Sequence, residues 1–214
     1  MNRRKVAARI AFAAAAIHLV TAVVSLGLAR GLPPGESSLA RRIDYVGDHL
    51  LIWRAGWLLW TAAAVSLLAL YVALYGLWKD NASTAARLAM LFAAAGFAPD
   101  LVAGSLFIGV MPGLGAADYS VVETIALSST GYVANGLYTA AGILLTWAGR
   151  RVLPRSLVGL AALVWFAGVW LSAATITHST SGQFASSAVL LAMFILWSGL
   201  LGMWLEKGRD RASS

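Results

Sequence analysis

The chain has 214 residues, 60% of them hydrophobic and 12% charged, with a net charge of +7 and no cysteine. A soluble domain cannot hide that much apolar surface, and the absence of cysteine excludes disulfides, iron–sulfur clusters and thiolate metal sites. The positive charge does not point to nucleic acid, because the basic residues sit in short segments beside the hydrophobic runs, as they do in membrane proteins.

Arg3, Arg4, Lys5 and Arg9 precede the first apolar run, 10–29. That run is too long for the apolar part of a usual signal peptide and has no clear Ala-x-Ala site, so it is read as a retained span. A polar connection, 30–48, is broken by Pro33-Pro34-Gly35. A long span, 50–78, follows with Arg54 near its start, then a basic turn and a span at 88–111 that ends at Pro112-Gly113. The remaining spans are 124–148, 157–177 and 184–204, separated by a basic turn around Arg150, Arg151 and Arg155 and by a polar turn, 178–183. The expectation is an all-α polytopic membrane protein, a bundle of six transmembrane helices forming one domain over 1–214.

Orientation follows from the basic residues. Twelve of the 16 Lys and Arg residues fall on the side that holds both termini, which places both termini in the cytoplasm; Arg30, Arg41, Arg42 and Arg54 oppose the rule. Trp78, Trp147 and Trp204 lie at predicted cytoplasmic ends, and Trp53, Trp57 and Trp60 share a helix face at the outer end. All six are expected in interfacial belts.

Four features then follow one another along the chain: an Arg-flanked first span, a long connection leading into Trp53-Arg54-Ala55-Gly56, Leu70-Tyr71-Val72 before a short basic turn, and Arg151-Val152-Leu153-Pro154-Arg155 followed by Gly159. This order resembles a family of six-span bacterial integral membrane proteins known as a domain of unknown function. The resemblance covers nearly the whole chain. It implies a multi-pass protein of the bacterial cytoplasmic (inner) membrane and supplies no activity and no catalytic residues.

Asp100 is the most informative single residue. It follows Pro99 and is the only charged residue in 88–111. A carboxylate at that depth costs about 2.5–3.5 kcal/mol on insertion scales, so it needs a partner, a proton or water. His18 and Asn135 are the other polar residues near the predicted midplane, and all three sit on faces of small residues that favour helix–helix contact. They are the candidate ligand- or proton-binding residues. Their alternative role is structural hydrogen bonding between helices. At the outer rim lie Asp44, Asp48, His49, Arg54, Asp118, Glu123 and His178. Carboxylates beside imidazoles can bind a divalent metal, and His49 with His178 could ligate a haem iron. The spacing of a metal motif is absent, so neither metal nor cofactor is expected. The rim, with Arg54, Asp48, His49, Glu123 and His178 at its centre, is read as solvated ion pairs, Arg54 joining Asp48 or Glu123.

No dinucleotide loop, Walker loop, nucleophile elbow or membrane-embedded lysine is present. The leading expectation is a non-enzymatic membrane protein that binds a small hydrophobic ligand or a membrane protein partner in a polar pocket near Asp100, open to the outer side. The expected partners are the lipid bilayer and that ligand or protein, with no nucleic acid. The alternatives are a proton-coupled transporter using Asp100 and an intramembrane enzyme, for which His18 with Asp100 is the only catalytic pair on offer. No internal repeat favours the transporter.

Overall fold

The computed structural model describes residues 3–33 and 38–207, and these are helical apart from short turns, with no strand among them. Helix α1 is Arg3–Leu28, α2 Leu39–Asp48, α3 Leu50–Trp78 and α4 Ser83–Ser105; α5 is Ala116–Ser128, α6 Asn135–Gly149, α7 Arg155–Ile176 and α8 Thr180–Lys207. Wide π turns extend two of them: Leu106–Val110 prolongs α4, and Ser129–Ala134 joins α5 to α6 into one rod. Five stretches are long and apolar enough to cross a bilayer: Arg3–Gly31, Leu50–Trp78, Ser83–Gly113, Arg155–Ile176 and Thr180–Lys207. The chain is therefore an all-α membrane bundle. The rod 116–149 is not among the five; it carries Glu123, Ser128-Ser129-Thr130 and Asn135.

The long helices close a ring in the order α1, α3, α4, α6, α7, α8, with α8 returning to α1. Helices α3 and α6 also touch across the middle, where the Tyr71 hydroxyl donates to the carbonyl of Tyr138 at 2.9 Å. Small residues set the close approaches. A Cβ on Gly142 of α6 would run into the Trp165 ring of α7, one on Gly149 would meet the Trp78 ring at 2.8 Å, and one on Gly202 of α8 would meet Phe12 of α1 at 2.9 Å. In lipid, where apolar burial gives little drive, such interlocking supplies much of helix association.

One core fills the half of the bundle nearest the start of α1. It gathers Ala7, Ala11 and Ala14 of α1 with Leu74 and Trp78 of α3, Leu145 of α6 and Trp197 and Leu201 of α8. A second core at the opposite end joins Leu28, Val46, Trp53, Trp57, Phe107 and Tyr119.

Two expectations need correction here. The connection 30–48 is not merely polar: it contains α2, whose Leu39, Ile43 and Val46 pack into the second core. Ser38 caps its first turn, accepting from the Arg41 amide at 3.5 Å. Three of the tryptophans also depart from the belt: Trp53, Trp57 and Trp78 are buried, whereas Trp147 is exposed, as a belt residue would be. The face shared by Trp53 and Trp57 meets helix α4, not the interface: Trp57 stacks on Phe107 with ring centres 3.6 Å apart.

Proline 112 explains part of that packing. It has no amide hydrogen, so the Ile108 carbonyl, four residues before it, lacks its regular helical donor, and the π turn directs the Met111 amide to Leu106 O and away from Phe107 O. Side chains of α3 replace it. Trp53 Nε1 donates to Phe107 O at 2.7 Å, and Arg54 Nε donates to Ile108 O at 3.2 Å.

Candidate functional site

Between the two cores lies a cavity of about 680 Å³. Its floor is formed by His18 of α1, whose ring lies 4.4 Å from that of Phe194 on α8. From there it runs towards the end of the bundle that carries α2, past Leu28, Ala29, Leu32 and Pro33. Its walls are mostly apolar, with Trp57, Trp60, Tyr71 and Trp165 among them. Leu19, Val23 and Leu26 of α1 and Phe184 of α8 line it and are also exposed on the bundle surface. The first and last helices therefore border the cavity on one side, and below it Phe12 packs against Gly202.

Asp100 lines this cavity, half-buried. Thr130 Oγ1 donates to its Oδ1 at 2.6 Å, and the Tyr138 hydroxyl reaches its Oδ2 at 3.4 Å. Both donors come from the rod packed against α4. Thr130 and Tyr138 are eight positions apart, within reach of one helix face, and the π turn Ser129–Ala134 that holds Thr130 shifts the register between them. Among the described residues, no Arg or Lys lines the cavity, and Asp100 is its one carboxylate.

His18 and Asn135 line the same cavity but bond elsewhere. His18 Nδ1 donates to Ala14 O at 2.9 Å, which leaves a lone pair on Nε2 of the neutral ring. Asn135 Nδ2 donates to Gly168 O at 2.6 Å and to Ser172 Oγ at 2.9 Å, tying α6 to α7. So the three midplane residues are brought to one cavity, and among the described residues no hydrogen bond joins any two of them. Ser129 bonds back to its own helix, its hydroxyl donating to Ile125 O at 2.8 Å, whereas Thr130 serves Asp100. Thr130, Tyr138, Tyr71 and Trp57 are among the cavity residues that sequence reasoning did not assign to the site.

The rim residues do not assemble as a group. The expected pairing of Arg54 with Asp48 or Glu123 is replaced by its bond to Ile108 O, made available by Pro112. Glu123 is buried and pairs with Arg42 of α2, Arg42 Nη2 lying 2.8 Å from Glu123 Oε2. Asp48 is exposed, and His49 stacks on Tyr45, one helical turn away, with ring centres 4.3 Å apart. His178 sits exposed in the turn between α7 and α8 with a left-handed backbone, φ 51°. Among the described residues, no three His, Asp or Glu side chains come together in a way that could hold a metal ion.

Compared with known proteins, the chain matches no family model, no curated protein and no solved structure.

Proposed function

We propose that this protein is a non-enzymatic membrane receptor for a small amphiphile, which enters sideways from the bilayer between α1 and α8 and sets its polar end beside Asp100. The observation that carries the reading is the cavity itself: about 680 Å³, apolar along its length, with one carboxylate held by two hydroxyls at its inner end. Ligand pockets have this size and this ratio of apolar wall to placed polar groups. The core below His18 fills the other half of the bundle, so the cavity reaches one end only, which favours binding over passage. A proton-coupled transporter using Asp100 would have to open that packed half. An enzyme would need His18 and Asp100 to act on one substrate, and no bond joins them.

The same reading makes the rod 116–149 a sixth span and places the protein in the bacterial inner membrane, in the six-span family it resembles. Both termini then face the cytoplasm and the cavity mouth faces outward. Reporter fusions after Ser214 and within 36–40 should give cytoplasmic and outer signals respectively; a cytoplasmic signal from 36–40 would reverse the orientation.

The binding reading is tested with a neutral long-chain alcohol bearing a diazirine, photolysed with the protein in lipid nanodiscs. Labelling should saturate, yield to excess unlabelled alcohol, and map to Trp57, Tyr71 and Tyr138, which lie inside the ring. Labelling confined to lipid-facing side chains such as Leu51 and Phe166 would overturn it.

A further inference from the structure

Resting on that binding reading, we propose that the cavity selects a monovalent organic cation with an apolar body. The charge at its inner end is one-sided. Both carboxyl oxygens of Asp100 are held by hydroxyl donors, Thr130 at 2.6 Å and Tyr138 at 3.4 Å, which fix the group in place and bring no opposite charge. Among the described residues, the cavity has no Arg or Lys to serve as counter-charge. Aromatic rings stand around the same space: Trp57, Trp60, Tyr71, Trp165 and Phe194 all line it. Ring faces attract cations, most strongly where water is excluded, and a carboxylate far from water is stabilised by a cation more than by any neutral group.

The chemistry narrows the class further. An inorganic divalent ion needs about six oxygen ligands; this cavity offers one carboxylate, and among the described residues no three acidic or imidazole side chains gather there to hold a metal. A phospholipid headgroup would carry its phosphate towards the middle of Ser83–Gly113 and set it beside the Asp100 carboxylate, where like charges repel. A free organic cation meets neither obstacle: its charge meets Asp100 and the rings, and its apolar body fills the cleft between α1 and α8.

The test uses two probes of equal shape in nanodiscs of phosphatidylglycerol, so that no lipid ammonium competes. One carries a dodecyl chain, a diazirine next to the head, and a trimethylammonium head; the other replaces the nitrogen by carbon. The half-saturating concentration for photolabelling is read for wild type, Asp100→Asn and Asp100→Glu, and the ratio of variant to wild type removes each probe's own partitioning into lipid. The cation should lose about tenfold or more in Asp100→Asn and little in Asp100→Glu, while the neutral probe labels all three alike. Equal ratios for the two probes would overturn the cation class and leave the binding reading standing. Labelling by the neutral probe without the cation would likewise overturn the cation class alone, and failure of both probes to label the cavity in wild type would remove the binding reading with it. Mapping in wild type gives a second readout that needs no variant to fold: the cation's label should concentrate at Asp100, Thr130 and Tyr138, whereas identical maps for both probes would contradict the inference.

Discussion

Arg42→Met should destabilise the protein by about 3–5 kcal/mol, the cost of stranding one member of a buried ion pair. The pair is the bond between α2 and α5: Arg42 and Glu123 lie 2.8 Å apart, with side chains 9% and 6% exposed. Without Arg42, the buried Glu123 carboxylate keeps its desolvation cost and loses its counter-charge. The deficit should therefore depend on pH with a definite sign. Below the pH at which the stranded carboxylate takes up a proton, the variant should recover much of its stability; above it, the full loss should persist. The double variant Arg42→Met with Glu123→Met should approach wild type, because apolar groups of similar volume can replace a buried pair at little cost. Reversible unfolding in mixed micelles measures all three. A single variant as stable as wild type at neutral pH would mean that the pair does not hold α2 in place.

The second large effect concerns the cavity. Ala22 on α1 and Ser187 on α8 line it from facing walls and carry small side chains. Ala22→Trp and Ser187→Trp should each place an indole where the ligand's apolar body lies. Labelling by the neutral alcohol probe should fall by about tenfold or more, since even one well-buried aromatic group corresponds to more than 1.4 kcal/mol of competing contact. Stability should hold, because the new ring enters space that is already open instead of displacing a neighbour. Undiminished labelling in both variants would place the ligand elsewhere on the bundle.

Much of this fold is legible in the sequence, for a reason specific to lipid. A span must be long and apolar, so 50–78 can be read directly and coincides with α3, Leu50–Trp78. Helix α2 escaped notice because its apolar positions, Leu39, Ile43 and Val46, are spaced for a short amphipathic helix inside a segment whose charges dominate its appearance. The signal was present in Ser38 as a cap followed by that spacing. The tryptophan face of α3 could not be assigned from spacing alone, because one stripe serves equally for an interface or for packing against α4. Pro112 is a clue there, since the Ile108 carbonyl that it deprives of a donor is the one that Arg54 serves.

The candidate site was legible only in part. Asp100, His18 and Asn135 stand out because a polar side chain inside an apolar run must be satisfied somehow. Who satisfies it is a question of packing across the ring. Thr130 lies 30 residues from Asp100 in sequence and meets it only because α4 packs on the rod that holds it. The π turn that holds Thr130 has no residue signature strong enough to read in advance. Arg42 was counted against the positive-inside tally and was not assigned a partner, yet its charge is the one that Glu123 requires.

The most direct measurement is an experimental structure of the protein in lipid nanodiscs with the trimethylammonium probe, its alkyl chain brominated to mark the path. The account predicts continuous non-protein density from beside Asp100, past Trp57 and Trp60, to the gap between α1 and α8, with the head against the carboxylate and bromine signal in the gap. A cavity holding only ordered water, or a chain lying wholly outside the ring of helices, would contradict it.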